Sequence, residues 1–209
     1  AENKKPFIVY GEYKNGQRIK LGESATARGA KRIVKNKENA GILNFDEYEL
    51  PEGSLEINQW GDKLKENDID SFTECCQYLL DRDPDYKWPT YWSNSTLMKH
   101  RVIIPFMWKG KIVGYAARAV VDTLKQKYMA HRPAGYVFNS DRQTGSRECI
   151  IVVEGVFDAI AIDGVGVLGS NINEQQADII DSIGKEVIVV PDRDKAGEQL
   201  IDSALEYGW

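Results

Sequence analysis

Two short runs of β-branched residues, each ending in a carboxylate, constrain the fold of this chain more than any other feature. Residues 150–154 read IIVVE, and residues 187–194 read VIVVPDRD. Runs that are apolar at every position are typical of parallel strands that are buried on both faces. Helical patterns lie between and after the two runs, which indicates an α/β domain. The predicted elements are strands over 149–153, 165–168 and 186–191, and helices over 156–163, 173–183 and 197–207.

Carboxylates follow both runs. Glu154 ends the first strand, Asp158 lies in the first turn of the next helix, and Asp192 and Asp194 end the last strand. Ligands bind at the carboxyl edge of a parallel sheet, so a group of four carboxylates there predicts a Mg²⁺ or Mn²⁺ site and phosphate chemistry. Either motif alone is more typical of a solvated turn, and Asp158 alone could serve only the helix N-terminus. Their joint occurrence in one α/β unit favours the metal site.

The chain before residue 148 follows a different pattern. Asn15-Gly16 is a strong turn signal between two short apolar runs. Ser71 and Glu74 have the spacing of a capping box, ahead of an apolar helix face that includes Leu79 and Leu80. The predicted elements are a β-hairpin over 6–22, a weak helix or basic linker over 25–36, a helix over 70–82, and antiparallel strands over 101–108, 112–120, 127–130 and 135–138.

Charge is distributed unevenly along the chain. The net charge is −5, which does not favour a protein that coats nucleic acid non-specifically. Residues 99–132 nevertheless carry eight Lys or Arg and one acid, Asp122, and residues 14–37 carry eight Lys or Arg and one acid, Glu23. Two basic segments in a chain with an acidic metal site suit a polyanionic substrate.

Cysteine usage and the N-terminus bear on the cellular compartment. Cys75, Cys76 and Cys149 lack zinc-ligand spacing, and neither histidine completes such a set, so no zinc site is expected in this chain. An odd count with an adjacent pair also argues against a disulfide framework, which predicts a reducing cytoplasm. Residues 1–5 precede no apolar segment, and no apolar run is long enough to span a bilayer, so neither a signal peptide nor a membrane partner is expected.

The motifs around the carboxylates resemble a known family. Residues 153–158 (VEGVFD) and 190–197 (VPDRDKAG) are similar to the Toprim domain of DnaG-type primases, topoisomerases and some nucleases. The KAG that follows Asp-x-Asp resembles primases, because topoisomerases more often carry Glu before that glycine. Residues 101–106, 110–118 and 127–128 resemble the basic antiparallel subdomain that precedes Toprim in the primase core.

The resemblance covers about residues 97–209 and implies a DNA primase, a nucleotidyltransferase of the DNA-directed RNA polymerase type. Such an enzyme makes short RNA primers on single-stranded DNA during replication. The resemblance implies that Glu154 is the general acid/base or a metal-linked carboxylate. It implies that Asp192 and Asp194 hold Mg²⁺ or Mn²⁺, and that Asp158 assists.

The resemblance also implies contacts to nucleotide or nucleic acid by basic residues. The candidates are Arg101, Arg118, Lys127, Arg193 and Lys195. The simpler interpretation of Arg118 and Lys127 is that they are the exposed ends of an edge strand, where basic residues prevent aggregation. The Trp- and Tyr-rich segment 86–92 could stack on unpaired bases, but a small packing core is the favoured interpretation.

The predicted architecture is α/β, with a Toprim-like parallel βαβαβα sheet at the C-terminus, preceded by a mixed α+β basic antiparallel subdomain. The predicted parts are residues 1–60 (unassigned), 61–147 (N-terminal subdomain of a primase core) and 148–209 (Toprim, expected to be truncated). The expected partners are single-stranded DNA, ribonucleoside triphosphates and a replicative helicase, fused or separate. The compact core suggests a bacteriophage or mobile-element primase.

Two other functions remain open from the sequence. One is a Toprim nuclease or topoisomerase-type fragment that cleaves DNA. The other is a non-catalytic Toprim module that binds nucleic acid or a helicase. The complete set of Glu154, Asp192 and Asp194 argues against the second, since a pure binding module has no use for a repulsive carboxylate cluster.

Overall fold

The chain divides into two compact units. The computed structural model describes residues 7–12, 18–24, 44–83, 86 and 88–209. One unit consists of residues 45–134, and the other contains residues 135–209 together with the N-terminal strands. The domain boundaries predicted after residues 60 and 147 stay predictions. The two compact units meet along the chain at different points, after residues 44 and 134.

The predicted N-terminal hairpin is confirmed. Strands β1 (Phe7–Glu12) and β2 (Arg18–Ser24) pair antiparallel, with an irregularity between Val9 and Tyr10. The Asn-Gly turn and the predicted helix or linker over 25–36 lie outside the described residues.

The strands described in the unit of residues 45–134 form a five-stranded antiparallel sheet in the order β3-β4-β5-β6-β7. Their bounds are Ser54–Glu56 (β3), Tyr91–Ser93 (β4), Arg101–Trp108 (β5), Lys111–Ala119 (β6) and Tyr128–His131 (β7). The three predicted strands over 101–130 are therefore confirmed. The central strand β5 is buried from Arg101 to Phe106, because it has a hydrogen-bonded neighbour on each side.

Helix α1 (Ile69–Arg82) confirms the predicted helix, but the predicted capping box is wrong. The helix begins earlier than the box requires, so Ser71 lies inside it. The Ser71 hydroxyl is buried and donates to the Asp68 carbonyl at 3.0 Å. Glu74 instead contacts the His100 ring at 2.7 Å. Leu80, which was predicted on the apolar face, is 51% exposed.

The aromatic side chains of residues 86–92 lie in two different environments, a packed cluster and the wall of a cavity. Trp92 is fully buried, with its ring centroid 4.7 Å from that of Trp60 and 5.3 Å from that of Phe72. Its indole N–H donates to the Lys99 carbonyl at 2.7 Å. The packing interpretation therefore holds for Trp92. Other aromatic side chains of the segment, including Trp88, line a cavity of about 470 Å³ beside α1.

Over residues 135–209 the structure has the predicted βαβαβα order. A parallel sheet in the order β10-β8-β9 comprises β8 (Cys149–Val153), β9 (Val165–Gly166) and β10 (Glu186–Val189). The helices are α2 (Val156–Ala161), α3 (Glu174–Ser182) and α4 (Lys195–Tyr207). The predicted α/β class is confirmed.

Two expectations about strands are wrong. Residues 135–138 are not a strand of the antiparallel sheet. Phe138 forms a single antiparallel bridge to Gly166, and Phe138 and its two predecessors are 0–1% exposed in the C-terminal unit. Strand β10 is not buried on both faces, since Ile188 is 43% exposed and Val190, just beyond it, is 47% exposed. It is an edge strand of this sheet, whereas the central strand β8 buries Ile150 completely.

Helix α3 fixes the segment before β8 to the sheet. Asn173 and Gln176 form a capping box, in which each side chain accepts from the backbone N–H of the other residue. The Gln176 amide, 4% exposed, also donates to the carbonyls of Tyr136 at 3.0 Å and Val167 at 2.7 Å.

Among the helices of the described residues, none is long and apolar enough to cross a membrane.

Candidate functional site

The two carboxylate-bearing strand ends are neighbours. Strands β8 and β10 pair in parallel, with Val189 opposite Val152, and the Val190 N–H donates to the Val152 carbonyl at 2.9 Å. The next residues along both strands are the acidic motifs, so Glu154 and Asp192 lie at the same edge of the sheet. The convergence of these two strand ends could be read from the sequence because parallel strands place their carboxyl ends together.

Glu154 is the most perturbed group at this edge. Its Oε1 is buried and finds no hydrogen-bond partner among the described residues, and the nearby Asp192 backbone only partly offsets the rise in its pKa. Burial raises the pKa of Glu154 first, and the charges of Asp192, Asp194 and Asp158 raise it further. The Leu168 N–H donates to the Glu154 carbonyl at 2.9 Å, which ties the strand end to the segment after β9. A half-buried acid with an unsatisfied oxygen is therefore held in a negative field.

Asp158 lies on the first turn of α2 and is exposed. Its carboxylate turns back over Gly155. Asp158 Oδ2 lies so close to Gly155 that a Cβ at position 155 would overlap it. Glycine at the start of α2 therefore leaves space for the Asp158 carboxylate.

Asp194 and Gly197 shape the turn between β10 and α4. Asp194 is the N-cap of α4, and its Oδ1 accepts from the N–H groups of Ala196 at 2.9 Å and Gly197 at 3.0 Å. A Cβ at position 197 would overlap the carbonyl oxygen of Asp192. It would lie 2.8 Å from the carbonyl carbon and 2.9 Å from the backbone nitrogen of the same residue. Glycine is required there because the backbone of Asp192 packs directly on the first turn of α4. Sequence reasoning identified Gly197 as the start of a helix and as the glycine of the KAG motif, but not this close packing.

The four carboxylates stay predicted metal ligands. Among the described residues, no three His, Cys, Asp or Glu side chains are arranged so that they could hold a metal ion. Asp194 has one oxygen committed to the helix cap, and Asp158 lies over Gly155. The donor set nonetheless fits a hard divalent cation, since it contains only oxygens, includes the unsatisfied Oε1 of Glu154 and carries repelling charges. Arg193 and Lys195 are exposed in the same turn.

In the unit of residues 45–134, Arg101 does not have the position expected of a nucleic-acid contact. It is 3% exposed, and its guanidinium donates to the carbonyl of Gln126 at 2.8 Å and to those of Ala117 and Lys127 at 3.4 Å. Its contacts join the start of β5 to β6 and to the segment before β7. Arg101 is therefore a structural residue, and no pattern in the sequence distinguishes it from its exposed basic neighbours.

Arg118 and Lys127 do reach the accessible part of this sheet. Arg118 on β6 is half-buried, and its Cζ lies 4.7 Å from the centroid of the Tyr128 ring. Lys127 is exposed, and its carbonyl accepts from the Ala119 N–H at 2.8 Å. Their role in binding phosphate stays a prediction. The pairing of Arg118 with Tyr128 was not anticipated, although the cross-strand register between them follows from the predicted strands.

Comparison with known proteins identifies the domain that carries the carboxylates. The sequence model of a family described as Toprim-like matches residues 151–207. These residues are therefore similar to Toprim-like domains. The matched stretch contains the Toprim motifs at Glu154 and at Asp192 and Asp194, so the resemblance seen in the sequence is confirmed.

Two DNA primases are similar to this chain in sequence. The DNA primase of Aquifex aeolicus is 28% identical over 160 residues, which cover 68% of this chain and 30% of that protein. The DNA primase of Clostridium acetobutylicum is 30% identical over 116 residues, which cover 48% of this chain and 19% of that protein. The chain thus spans less than a third of the length of these relatives.

Solved structures of primases are also similar. The Aquifex aeolicus primase structure, with zinc-binding and RNA polymerase domains, has a TM-score of 0.47 at 24% identity and covers 72% of this chain and 40% of that one. The E. coli primase catalytic core has a TM-score of 0.46 at 18% identity and covers 72% of this chain and 50% of that one.

Proposed function

We propose that this chain belongs to the catalytic core of a DNA primase, which makes short RNA primers on single-stranded DNA by metal-dependent nucleotidyl transfer. The observation that carries the proposal is the position of Glu154 and the Asp-x-Asp turn on adjacent strand ends of a Toprim-like domain. The names of the relatives support the same activity. A replicative helicase as partner, a bacteriophage origin and a cytoplasmic location stay predictions.

In this proposal the carboxylates at the sheet edge hold Mg²⁺ or Mn²⁺. Asp192 and Asp194 would supply ligands, Asp158 would add negative charge, and Glu154 would be either a further ligand through Oε1 or the general acid/base. A bound cation would neutralise triphosphate charge and favour ionisation of the attacking 3′-hydroxyl.

The protein's own groups would supply proton transfer and positioning. The raised pKa of Glu154 brings its carboxyl closer to the operating pH, which is what a general acid/base needs. The Asp194 cap fixes the turn before any ligand arrives. The exposed Arg193 and Lys195 lie in that turn and would contact nucleotide phosphates.

Template binding is proposed for the basic segment 99–132, which contributes three strands to the sheet of residues 45–134. Lys127 is exposed and Arg118 is half-buried beside it, in a segment with eight basic residues against one acid. Lys and Arg bind nucleic-acid phosphates with little regard to sequence, and the binding weakens as salt is raised. This sheet therefore supplies a non-specific contact to the backbone of single-stranded DNA.

The proposal is tested by incubating the chain with single-stranded DNA, ribonucleotides and Mg²⁺ or Mn²⁺, and resolving products on a gel. Asp192→Asn should reduce primer synthesis by at least about 100-fold, the usual scale for the loss of an electrostatic contribution to catalysis. Asp202→Asn removes an exposed carboxylate from α4 and serves as the matched control, expected to retain full synthesis.

Two outcomes would replace the proposal. Strand cleavage without synthesis, abolished by Asp192→Asn, would favour a Toprim nuclease. Binding of DNA with neither activity, unaffected by Asp192→Asn, would favour a non-catalytic module. Mn²⁺ binding measured by calorimetry provides a readout that does not depend on turnover, and the proposal requires Asp192→Asn, but not Asp202→Asn, to weaken it.

A further inference from the structure

Tyr128 is an exposed aromatic residue in a strongly basic part of the sheet. It begins the edge strand β7 and is 48% exposed. It lies opposite Arg118 in the register of β6 and β7, with the guanidinium carbon 4.7 Å from its ring centroid. Its exposed ring combines an apolar face with a position among basic side chains, which is the combination that binds unpaired bases.

Among the described residues, no acidic side chain neutralises the charge of Arg118. Its Nε is buried, with no hydrogen-bond partner in the part of the chain that the structure describes. The guanidinium therefore lies against the Tyr128 ring as a positive charge that an external anion can approach. Contact between a guanidinium and an aromatic face is itself attractive.

The backbone leading into Tyr128 is held in place. The carbonyls of Gln126 and Lys127 both accept from the Arg101 guanidinium, and the Lys127 carbonyl also accepts from the Ala119 N–H. The side chains of the three preceding residues, Lys125, Gln126 and Lys127, are exposed. Tyr128 is thus a fixed aromatic surface bordered by positive charge rather than a residue of a mobile loop.

We propose that Tyr128, backed by Arg118, is the platform on which one unpaired base of the single-stranded DNA stacks, while Lys127 contacts the adjacent phosphate. This inference rests on the proposed template binding and adds a contact to a base, which phosphate binding alone does not provide. Every base has an aromatic face, so such a platform tolerates any sequence. Base–aromatic stacking is the usual partner of a basic groove in proteins that bind single strands.

The test compares two labelled strands of equal length and charge in fluorescence anisotropy, one of oligo(dT) and one of abasic deoxyribose phosphates. The wild-type chain should bind oligo(dT) more tightly, by about tenfold. Tyr128→Leu should lose that tenfold difference and leave binding of the abasic strand unchanged, while Tyr128→Trp should retain it. Tyr48→Leu is the matched control, because Tyr48 is 38% exposed in the same unit and stacks instead on His131.

The outcomes separate this inference from the function on which it rests. Equal binding of both strands by the wild-type chain, or a Tyr128→Leu variant that keeps the preference for oligo(dT), would overturn the stacking platform but leave phosphate binding intact. Absence of binding to either strand would overturn template binding as well. Should Tyr128→Leu weaken binding to both strands equally, the ring only supports Arg118 and stacks on no base. Retention of the preference by Tyr128→Trp tests the platform even where the Leu variant folds poorly.

Discussion

Substitution of Gly197 by alanine tests how tightly the carboxylate turn is built into the fold. A Cβ at this position would overlap the carbonyl oxygen of Asp192 and lie 2.8 Å from its carbon. Carbon atoms in contact normally lie about 3.5–4.0 Å apart, so the Asp192 backbone would have to move by roughly 0.7 Å or more. Because the obstacle is backbone rather than a flexible side chain, no rotamer change can relieve it.

The expected magnitude follows from two opposing effects. Forcing an extra methyl group into a packed site costs about 1–3 kcal/mol, and the backbone obstacle places Gly197→Ala at the upper end. Alanine is more favourable than glycine inside a helix by about 1 kcal/mol. The net loss in free energy of unfolding is therefore about 2 kcal/mol. For a chain of this length, that corresponds to a decrease in Tm of about 4–8 °C.

The assay is thermal unfolding followed by circular dichroism, with Gly145→Ala as the control. A Cβ at Gly145 meets nothing within 4 Å, in an exposed part of the same unit, so its Tm should change by no more than about 1 °C. Gly155→Ala should lie between the two, because its new Cβ meets only the movable end of the Asp158 side chain. A Gly197→Ala variant as stable as Gly145→Ala would refute the claim that the Asp192 backbone packs on α4.

Further predictions concern three other side chains. Glu154→Gln should stabilise the protein at pH 7 and above. Its raised pKa makes the ionised form unfavourable in the folded state, so the gain should disappear as pH falls below the ordinary value of 4.5; denaturant titrations at pH 4 and pH 8 check this. Arg101→Met should lower the free energy of unfolding by about 2–3 kcal/mol in urea, because the guanidinium's hydrogen bonds to three carbonyls are lost, although the Lys127 carbonyl keeps the Ala119 N–H as a donor. Gln176→Leu should cost about 2 kcal/mol in the same titration, because the carbonyls of Tyr136 and Val167 lose the side-chain amide and the Asn173 N–H loses Gln176 Oε1 as acceptor.

The elements that sequence analysis predicted are those whose signal is local. The paired strands 101–108 and 112–120 and the alternating units after residue 148 appear close to their expected bounds. Each combines a run of β-branched residues or a helical period with a clear turn. The acidic edge followed from the same logic, because two parallel strands can carry residues at their carboxyl ends to one place.

What the sequence did not predict depends on partners distant along the chain. Arg101 looked like its basic neighbours, yet it is buried because backbone carbonyls of residues 117–127 surround it. Residues 135–138 have the composition of a strand, but their position in the fold is fixed by contacts with Gln176 and Gly166, which lie far along the chain. The exposure of β10 depends on its place at the sheet edge, which a run of apolar letters does not reveal.

The carboxylates at the turn after β10 have different structural duties, which decides how their variants should be interpreted. Asp194 caps α4, so an alanine there removes a helix cap as well as a charge, at a typical cost of about 1 kcal/mol. Asp192 contributes its backbone to the fold, through its close packing on Gly197, while its side chain is exposed. Asp192→Asn therefore changes the charge of the edge with little effect on packing. A loss of metal binding or synthesis in this variant reports on chemistry, whereas the same loss in Asp194→Ala reports on both chemistry and folding.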